Sequence, residues 1–158
     1  MNKKCLSFVF AALLSAVNVL GADSDYNIEC AGVTAKEGYS LVKVWVYSSN
    51  NKPDDSALKN AAVHGILFRG ISPQDGCQAL PPLAGSLQAY EQHADYFNAF
   101  FEKGGSYLSY ASVVPASYEA VKLSKKRYKM GAKVMVSKDQ LRRDLEKAGI
   151  IKGLSTGF

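Results

Sequence analysis

The sequence lacks several short motifs that mark common enzyme chemistries. It contains no H-E-x-x-H, no G-x-x-x-x-G-K-[ST], no G-x-G-x-x-G and no C-x-x-C. These are the signatures of zinc hydrolases, P-loop nucleotide hydrolases, dinucleotide-binding domains and thiol redox proteins. Histidine and cysteine are also scarce, because the 158 residues include only two histidines and three cysteines. The chain therefore offers few side chains for acid–base, nucleophilic or metal chemistry, and we expect no cofactor and no bound metal.

Long apolar runs are equally rare. One run covers residues 5–20, follows two lysines and is followed by the small residues glycine and alanine. This pattern predicts a secretory signal peptide over residues 1–22. Since no later segment is as continuously apolar, we predict no membrane span, and Cys5 lacks the preceding small residues of a lipoprotein site. The mature protein, residues 23–158, should be periplasmic or secreted.

Residues 23–158 are sufficient for one hydrophobic core and too few for two. The composition, 47% hydrophobic and 21% charged, is ordinary for a globular chain. No internal repeat is evident. We therefore predict a single domain that ends in a frayed tail, "KGLSTGF".

Apolar periodicity predicts the first half of this domain. Tyr39–Ser48 alternates valine with larger or charged residues, which indicates a strand whose valine face points inward. A helix should begin near Asp54 or Asp55, just after a proline, and continue to about His64. The glycine-bounded segment Gly65–Gly70 places Ile66 and Phe68 opposite Leu67 and Arg69, which suits a short strand as well as a last helical turn, and of the two we expect the strand.

The second half begins with a long Pro- and Gly-containing loop and a helix over about Leu87–Lys103, whose aromatic stripe at helical spacing is typical of a core. Two or three antiparallel strands should follow. Ser137 and Gln140 form a capping-box pattern for the last helix, which should bury Leu141, Leu145 and Ala148 and end at Gly149. The predicted fold class is α+β, a mostly antiparallel sheet of about four strands with three helices packed chiefly on one face.

Two cysteines, Cys30 and Cys77, remain after signal cleavage, an even number in a compartment where disulfides persist. We predict a disulfide between them. Two buried free thiols are the alternative. A bridge over this separation stabilises a domain by about 4 kcal/mol in the loop-entropy model.

His64 stands at the predicted C-terminus of the first helix, among alanines, glycines and large apolar residues. There an imidazole can donate to unpaired carbonyls, and the helix dipole favours its charged form. We expect a capping or packing histidine. A catalytic or metal-binding His64 is the competing interpretation.

One enzyme hypothesis survives the missing motifs. Cys77 could act as a nucleophile with His93 or His64 as its base, because a thiol and an imidazole need only meet in space. Together with Asp95, the same three residues could instead hold zinc, although neither arrangement has diagnostic spacing. The alternative function is therefore a Cys/His-dependent hydrolase or transferase.

Charge is divided unevenly along the chain. Residues 122–152 contain eleven Lys or Arg and three acidic residues, whereas residues 23–121 contain six and eleven. A basic region that is interleaved with valines suggests a cationic strand face, either merely solvated or binding an anionic partner. Nucleic acid is a poor partner for an exported protein. The candidate binding residues are Lys125, Lys126, Arg127, Lys129, Arg142 and Arg143.

Two stretches also resemble a known family. They are Leu41–Gly70, a strand followed by an alanine-rich helix and a glycine-bounded apolar segment, and Gly131–Ile150, which includes "KVMVSKDQLRRDLEKAGI". They look like the small envelope domains of the flagellar assembly protein T N-terminal type and related outer-membrane lipoproteins. The resemblance implies a non-enzymatic envelope assembly or scaffold role and supplies no catalytic residues. We therefore expect an exported interaction module that binds an envelope protein or an anionic envelope component.

Overall fold

A computed structural model describes residues 25–74 and 76–153, so the predicted signal peptide and the end of the predicted tail lie outside the described residues. The predicted α+β class is confirmed. The strands are β1 Tyr26–Cys30, β2 Ser40–Ser48, β3 Ala111–Val113, β4 Glu119–Ser124 and β5 Arg127–Val136. The helices are α1 Asp55–His64, α2 Leu87–Gln92, α3 Ala94–Phe101 and α4 Lys138–Lys147. A π-helical turn, Gly65–Arg69, extends α1, and a 3-10 helix, Ser106–Tyr110, precedes β3.

The strands form one antiparallel sheet in the order β1-β2-β5-β3, and β4 also pairs with β5. The strands β3 and β4 lie along the same side of β5, where β3 pairs with its last residues and β4 with its first. The sheet therefore has one strand more than predicted. The five-residue strand β1, which pairs with β2, was not predicted, whereas the predicted strand over Gly65–Gly70 is not part of the sheet.

Alternation along β2 and β5 places their small apolar residues on one face. Val42 pairs with Val134 and Val44 with Ala132, and all four are fully buried. Helix α1 packs on this face, which confirms the predicted inward valines. Since successive side chains of a strand point to opposite faces, the residues between them form an outer face.

Helix α1 begins where predicted. The carboxylate of Asp54 accepts hydrogen bonds from the backbone N–H groups of Ser56 and Ala57, at 3.0 and 3.2 Å. Its small residues allow a close approach to the sheet, since a Cβ atom on Gly65 would lie 2.5 Å from the Cδ1 of Ile28. A larger residue at position 65 would require the Ile28 side chain to shift.

The strand predicted over Gly65–Gly70 is wrong, because Gly65–Arg69 is a π-helical turn. A half-buried strand needs one solvent-facing side, and here Ile66, Leu67 and Phe68 are all buried. The loop that follows covers the turn, because the N–H of Leu83 donates to the carbonyl of Ile66. A short apolar run buried on every side carries no periodicity that distinguishes helix from strand.

The predicted helix over Leu87–Lys103 is two helices, since His93 has a non-helical backbone and separates α2 from α3. The aromatic stripe is nevertheless core, as expected. Phe97 and Phe100 are buried, and the ring of Phe97 packs edge-on against Phe68 at 5.0 Å.

The predicted capping box of α4 does not form. The Ser137 hydroxyl donates to the carbonyl of Tyr110, and Gln140 donates to the carboxylate of Asp144. The bond from Ser137 to the 3-10 helix replaces the expected bond from Ser137 to the first turn of α4. The spacing of residues within the sequence could not reveal this tertiary contact. Gly149 ends the helix with φ 71°, as predicted. Leu141 and Leu145 are buried, but Ala148 is exposed.

Candidate binding surface at the basic end of the sheet

The outer face of β2 and β5 combines aromatic and cationic side chains. Trp45 lies across Gly131, where an added Cβ would be 2.5 Å from the indole Cε3. The missing side chain at position 131 therefore lets the only tryptophan of the chain lie against the neighbouring strand. The Nζ atoms of Lys43 and Lys129 lie 4.7 and 5.0 Å from the indole centroid.

The same pattern continues toward the β4–β5 turn. Tyr47 pairs with Lys129 across the strands, and Lys129 pairs in turn with Val121 of β4. The guanidinium of Arg127 lies 4.6 Å from the centroid of the Tyr47 ring. Cations above aromatic rings contribute about 0.5–1 kcal/mol each at exposed sites. These contacts hold the basic side chains close to the sheet.

The β4–β5 turn concentrates positive charge. We call its five basic residues the basic tip, and four of them are exposed and one is half-buried. Asp25 approaches Arg127 at 3.7 Å, but both side chains are more than half exposed, so their attraction is weak. The members of the basic tip are Lys122, Lys125, Lys126, Arg127 and Lys129.

The six predicted binding residues fall into two separate groups. Lys125, Lys126, Arg127 and Lys129 belong to the basic tip, at the start of β5. Arg142 and Arg143 lie on α4, which follows the other end of that strand. From Lys129 to the end of β5 at Val136 there are seven residue spacings, or about 23 Å of strand.

The α4 arginines also have local partners. Arg143 donates to the Gln140 side chain at 2.8 Å, and Arg142 lies 4.0 Å from Glu146. One compact ligand therefore cannot contact both groups of predicted binding residues, and the basic tip carries the greater concentration of charge.

The structure joins Cys30 and Cys77 in a disulfide, with their Cα atoms 6.3 Å apart. This separation is within the usual range for a disulfide. The bridge connects the end of β1 to the long loop and forms part of the wall of an open cleft of about 720 Å³. Neither His64 nor His93 lines that cleft. A bridged Cys77 has no thiolate, so the structure does not support the nucleophile hypothesis.

The alternative zinc set is not assembled either. Across residues 25–74 and 76–153, which include all four candidates, no three histidine, cysteine or acidic side chains are grouped to hold a metal ion. His93 separates two helices, and the exposed Asp95 follows in the first turn of α3.

His64 is a packing residue. It is 8% exposed, and its Nδ1 is hydrogen-bonded to the Tyr26 hydroxyl at 2.8 Å. The rings of Phe68 and Phe101 lie 4.9 and 5.6 Å from its own. Burial, followed by the positive charge of Arg69, lowers the pKa of His64 to about 4. The expectation that the helix dipole favours a charged His64 is therefore wrong, because desolvation outweighs it.

One motif match in the sequence needs its structural context. Residues 153–157, "GLSTG", have the G-x-S-x-G spacing of a nucleophile elbow. That elbow requires a strand immediately before the serine and a helix after it. Here the preceding element is α4, and the string gives no support for a serine hydrolase.

Within the described ranges, no helix is both long enough and apolar enough to cross a bilayer. Comparison with known proteins found no matching family model, no significantly similar curated protein and no significantly similar solved structure. The resemblance to flagellar assembly protein T domains therefore stays a prediction.

Proposed function

We propose that this protein is an exported, non-enzymatic interaction module that binds an anionic envelope component through the basic tip. The observation that carries the proposal is the grouping of five basic residues at one end of the sheet. Such a patch raises the local concentration of an anionic ligand and accelerates its association. The disulfide supports the exported location, since disulfides persist in oxidising compartments.

The neighbouring aromatic residues strengthen this proposal. Tyr47 and Trp45 give the cationic surface rigid faces, which are enriched at binding sites because they lose little conformational entropy. Tyr47 is 37% exposed and therefore accessible to a partner.

The test is salt-dependent retention on an immobilised polyanion, dextran sulfate. The wild-type protein should bind at low salt and elute as salt rises, because the Debye length falls from about 10 Å at 0.1 M to about 3 Å at 1 M. The variant K125E/K126E/R127E should pass through unretained. Unchanged retention of this variant would defeat the proposal.

Two control variants make the result specific. K103E/K147E/K152E changes the net charge equally at three exposed lysines outside the basic tip, and it should retain most of the binding. R142E/R143E tests the second group of predicted residues and should also elute close to wild type. Equal losses in all three variants would indicate that net charge, rather than the basic tip, determines retention.

A further inference from the structure

The basic tip presents apolar side chains together with its cations. Val121 and Leu123 of β4 are 47% and 48% exposed, and every residue of β4 is exposed. Val121 lies in the same cross-strand row as Lys129 and Tyr47. Aliphatic and aromatic side chains surrounded by lysine and arginine are typical of surfaces that enter the headgroup region of a bilayer.

The start of the described chain lies at the same place. Asp25, the first described residue, is 3.7 Å from Arg127. The apolar run of the sequence ends at Leu20, so at most five residue spacings separate it from Asp25. An extended chain spans about 3.5 Å per residue, or about 17 Å here. If residue 20 lay in a bilayer, this short connection would keep Asp25 and the neighbouring Arg127 within about 20 Å of it.

The acidic side chains of β4 and of the N-terminus of α1 have other partners. Asp54 caps α1, Asp55 accepts a hydrogen bond from the Tyr118 hydroxyl at 2.7 Å, and Glu119 pairs with Lys43 at 2.8 Å. Asp25 is the acidic partner of Arg127, and both are largely exposed. Lys122, Lys125 and Lys126 therefore add positive charge that these acids do not balance.

We infer that the basic tip docks on the anionic surface of a lipid bilayer, with its lysines and Arg127 at the headgroups and Val121 and Leu123 at the boundary of the acyl chains. This inference rests on the proposed function and names its partner. Each basic residue near an anionic membrane strengthens binding roughly five-fold. The apolar pair adds affinity by removing hydrocarbon from water.

The experiment is flotation of the protein, as recovered from the producing cell, with two kinds of vesicle. One contains phosphatidylcholine with phosphatidylglycerol, and the other contains phosphatidylcholine alone. We expect binding to the anionic vesicles only. Binding should shift the emission of Trp45 to shorter wavelength, since this single tryptophan lies beside Lys129.

Two variants separate charge from insertion. K125E/K126E/R127E should bind anionic vesicles at least roughly 100-fold more weakly, whereas K103E/K147E/K152E should bind within a few-fold of wild type. V121S/L123S should weaken vesicle binding and leave retention on dextran sulfate unchanged. Both residues are exposed, so these serine substitutions preserve the fold, which a thermal melt verifies.

The outcomes distinguish the inference from the proposed function. Retention on dextran sulfate without vesicle binding overturns the membrane inference and leaves the proposed function standing. If V121S/L123S binds vesicles as well as wild type does, the proposed insertion of Val121 and Leu123 is overturned, and headgroup charge alone accounts for binding. Failure to bind either material overturns both proposals.

Discussion

On the inner face of β2 and β5, Val44 and Val134 are fully buried, whereas Lys133 on the outer face of β5 is exposed. These residues occupy the same two strands, and Lys133 and Val134 are adjacent in the chain. The inner face holds the helices by excluding water. The outer face and the β4–β5 turn keep charge and aromatic rings accessible, so the two faces should respond to mutation in opposite ways.

The largest effect is expected from a charge on the inner face. Val134→Asp would place an unpaired carboxylate in the core and should lower the free energy of unfolding by about 4 kcal/mol or more. Lys133→Ala, one residue earlier, should change it by less than about 0.5 kcal/mol. Urea denaturation measures the free energy of unfolding of both variants. Similar losses of stability in the two variants would contradict the distinction between the inner and outer faces.

A second test concerns His64, beneath the inner face. Its pKa is lowered to about 4 from 6.5, so the unfolded chain takes up the proton at higher pH than the folded protein. The stabilisation by neutral His64 is complete above pH 6.5 and is lost as pH falls through 4. The total loss should be about 3 kcal/mol, at 1.36 kcal/mol per pKa unit.

The groups that face His64 guide the control for this pH dependence. Burial is the main cause of the lowered pKa of His64, and the positive charge of Arg69 is the second cause. The Tyr26 hydroxyl is the hydrogen-bond partner of the imidazole. The double variant H64F/Y26F keeps an aromatic ring at each position and removes the titrating imidazole together with its hydrogen-bond partner. Its unfolding free energy should fall less steeply between pH 6.5 and 4, and an unchanged slope would assign the effect to other residues.

A smaller loss of stability is expected on the outer face, where Gly131 lies against Trp45. Gly131→Ala places a methyl group against the Trp45 ring and should cost about 1–3 kcal/mol by overpacking. In G131A/W45A the obstructing ring is absent, so the cost of the alanine should largely disappear. A double-mutant cycle measured by urea denaturation gives the coupling, and additive costs would show that Trp45 does not constrain position 131.

The smallest effect on stability is expected at the basic tip. The substitutions K125E/K126E/R127E affect exposed residues and should change the free energy of unfolding by no more than about 1 kcal/mol, the upper value for the lost contact between Arg127 and Tyr47. The same variant should lose binding to anionic material. A large loss of stability would mean that the basic tip contributes to the fold, and its binding defect would then need a different interpretation.

Local patterns predicted the elements whose signals lie within a few residues. The alternating valines of β2, the Asp54 cap and Gly149 at the end of α4 were all recognisable because turns, caps and strand faces depend on near neighbours. The same reasoning missed β1, the π-helical turn and the break at His93. The strand β1 and the π-helical turn are bonded to residues more than ten positions away, as in the pairing of β1 with β2 and the bond between Leu83 and Ile66.

The candidate surface was predicted only in part. Four of the six predicted basic residues lie together at the basic tip, but Trp45, Tyr47 and Lys43 were not recognised as part of the surface. Their contribution depends on the pairing of β2 with β5, which places Tyr47 opposite Lys129. The alternation of residues along β2 identified the face on which these three side chains lie. It did not identify β5 as the strand that pairs with β2.

The sequence by itself determined the α+β class, the uneven distribution of charge and the inward valine face, because these follow from composition and from a two-residue period. The tertiary structure decided which distant residues meet. Antiparallel register placed Lys129 beside Tyr47 and Trp45, and the length of β5 separated Arg142 and Arg143 from the basic tip. The physical reason is that strand pairing joins residues far apart in the chain, whereas a local pattern specifies only direction and face.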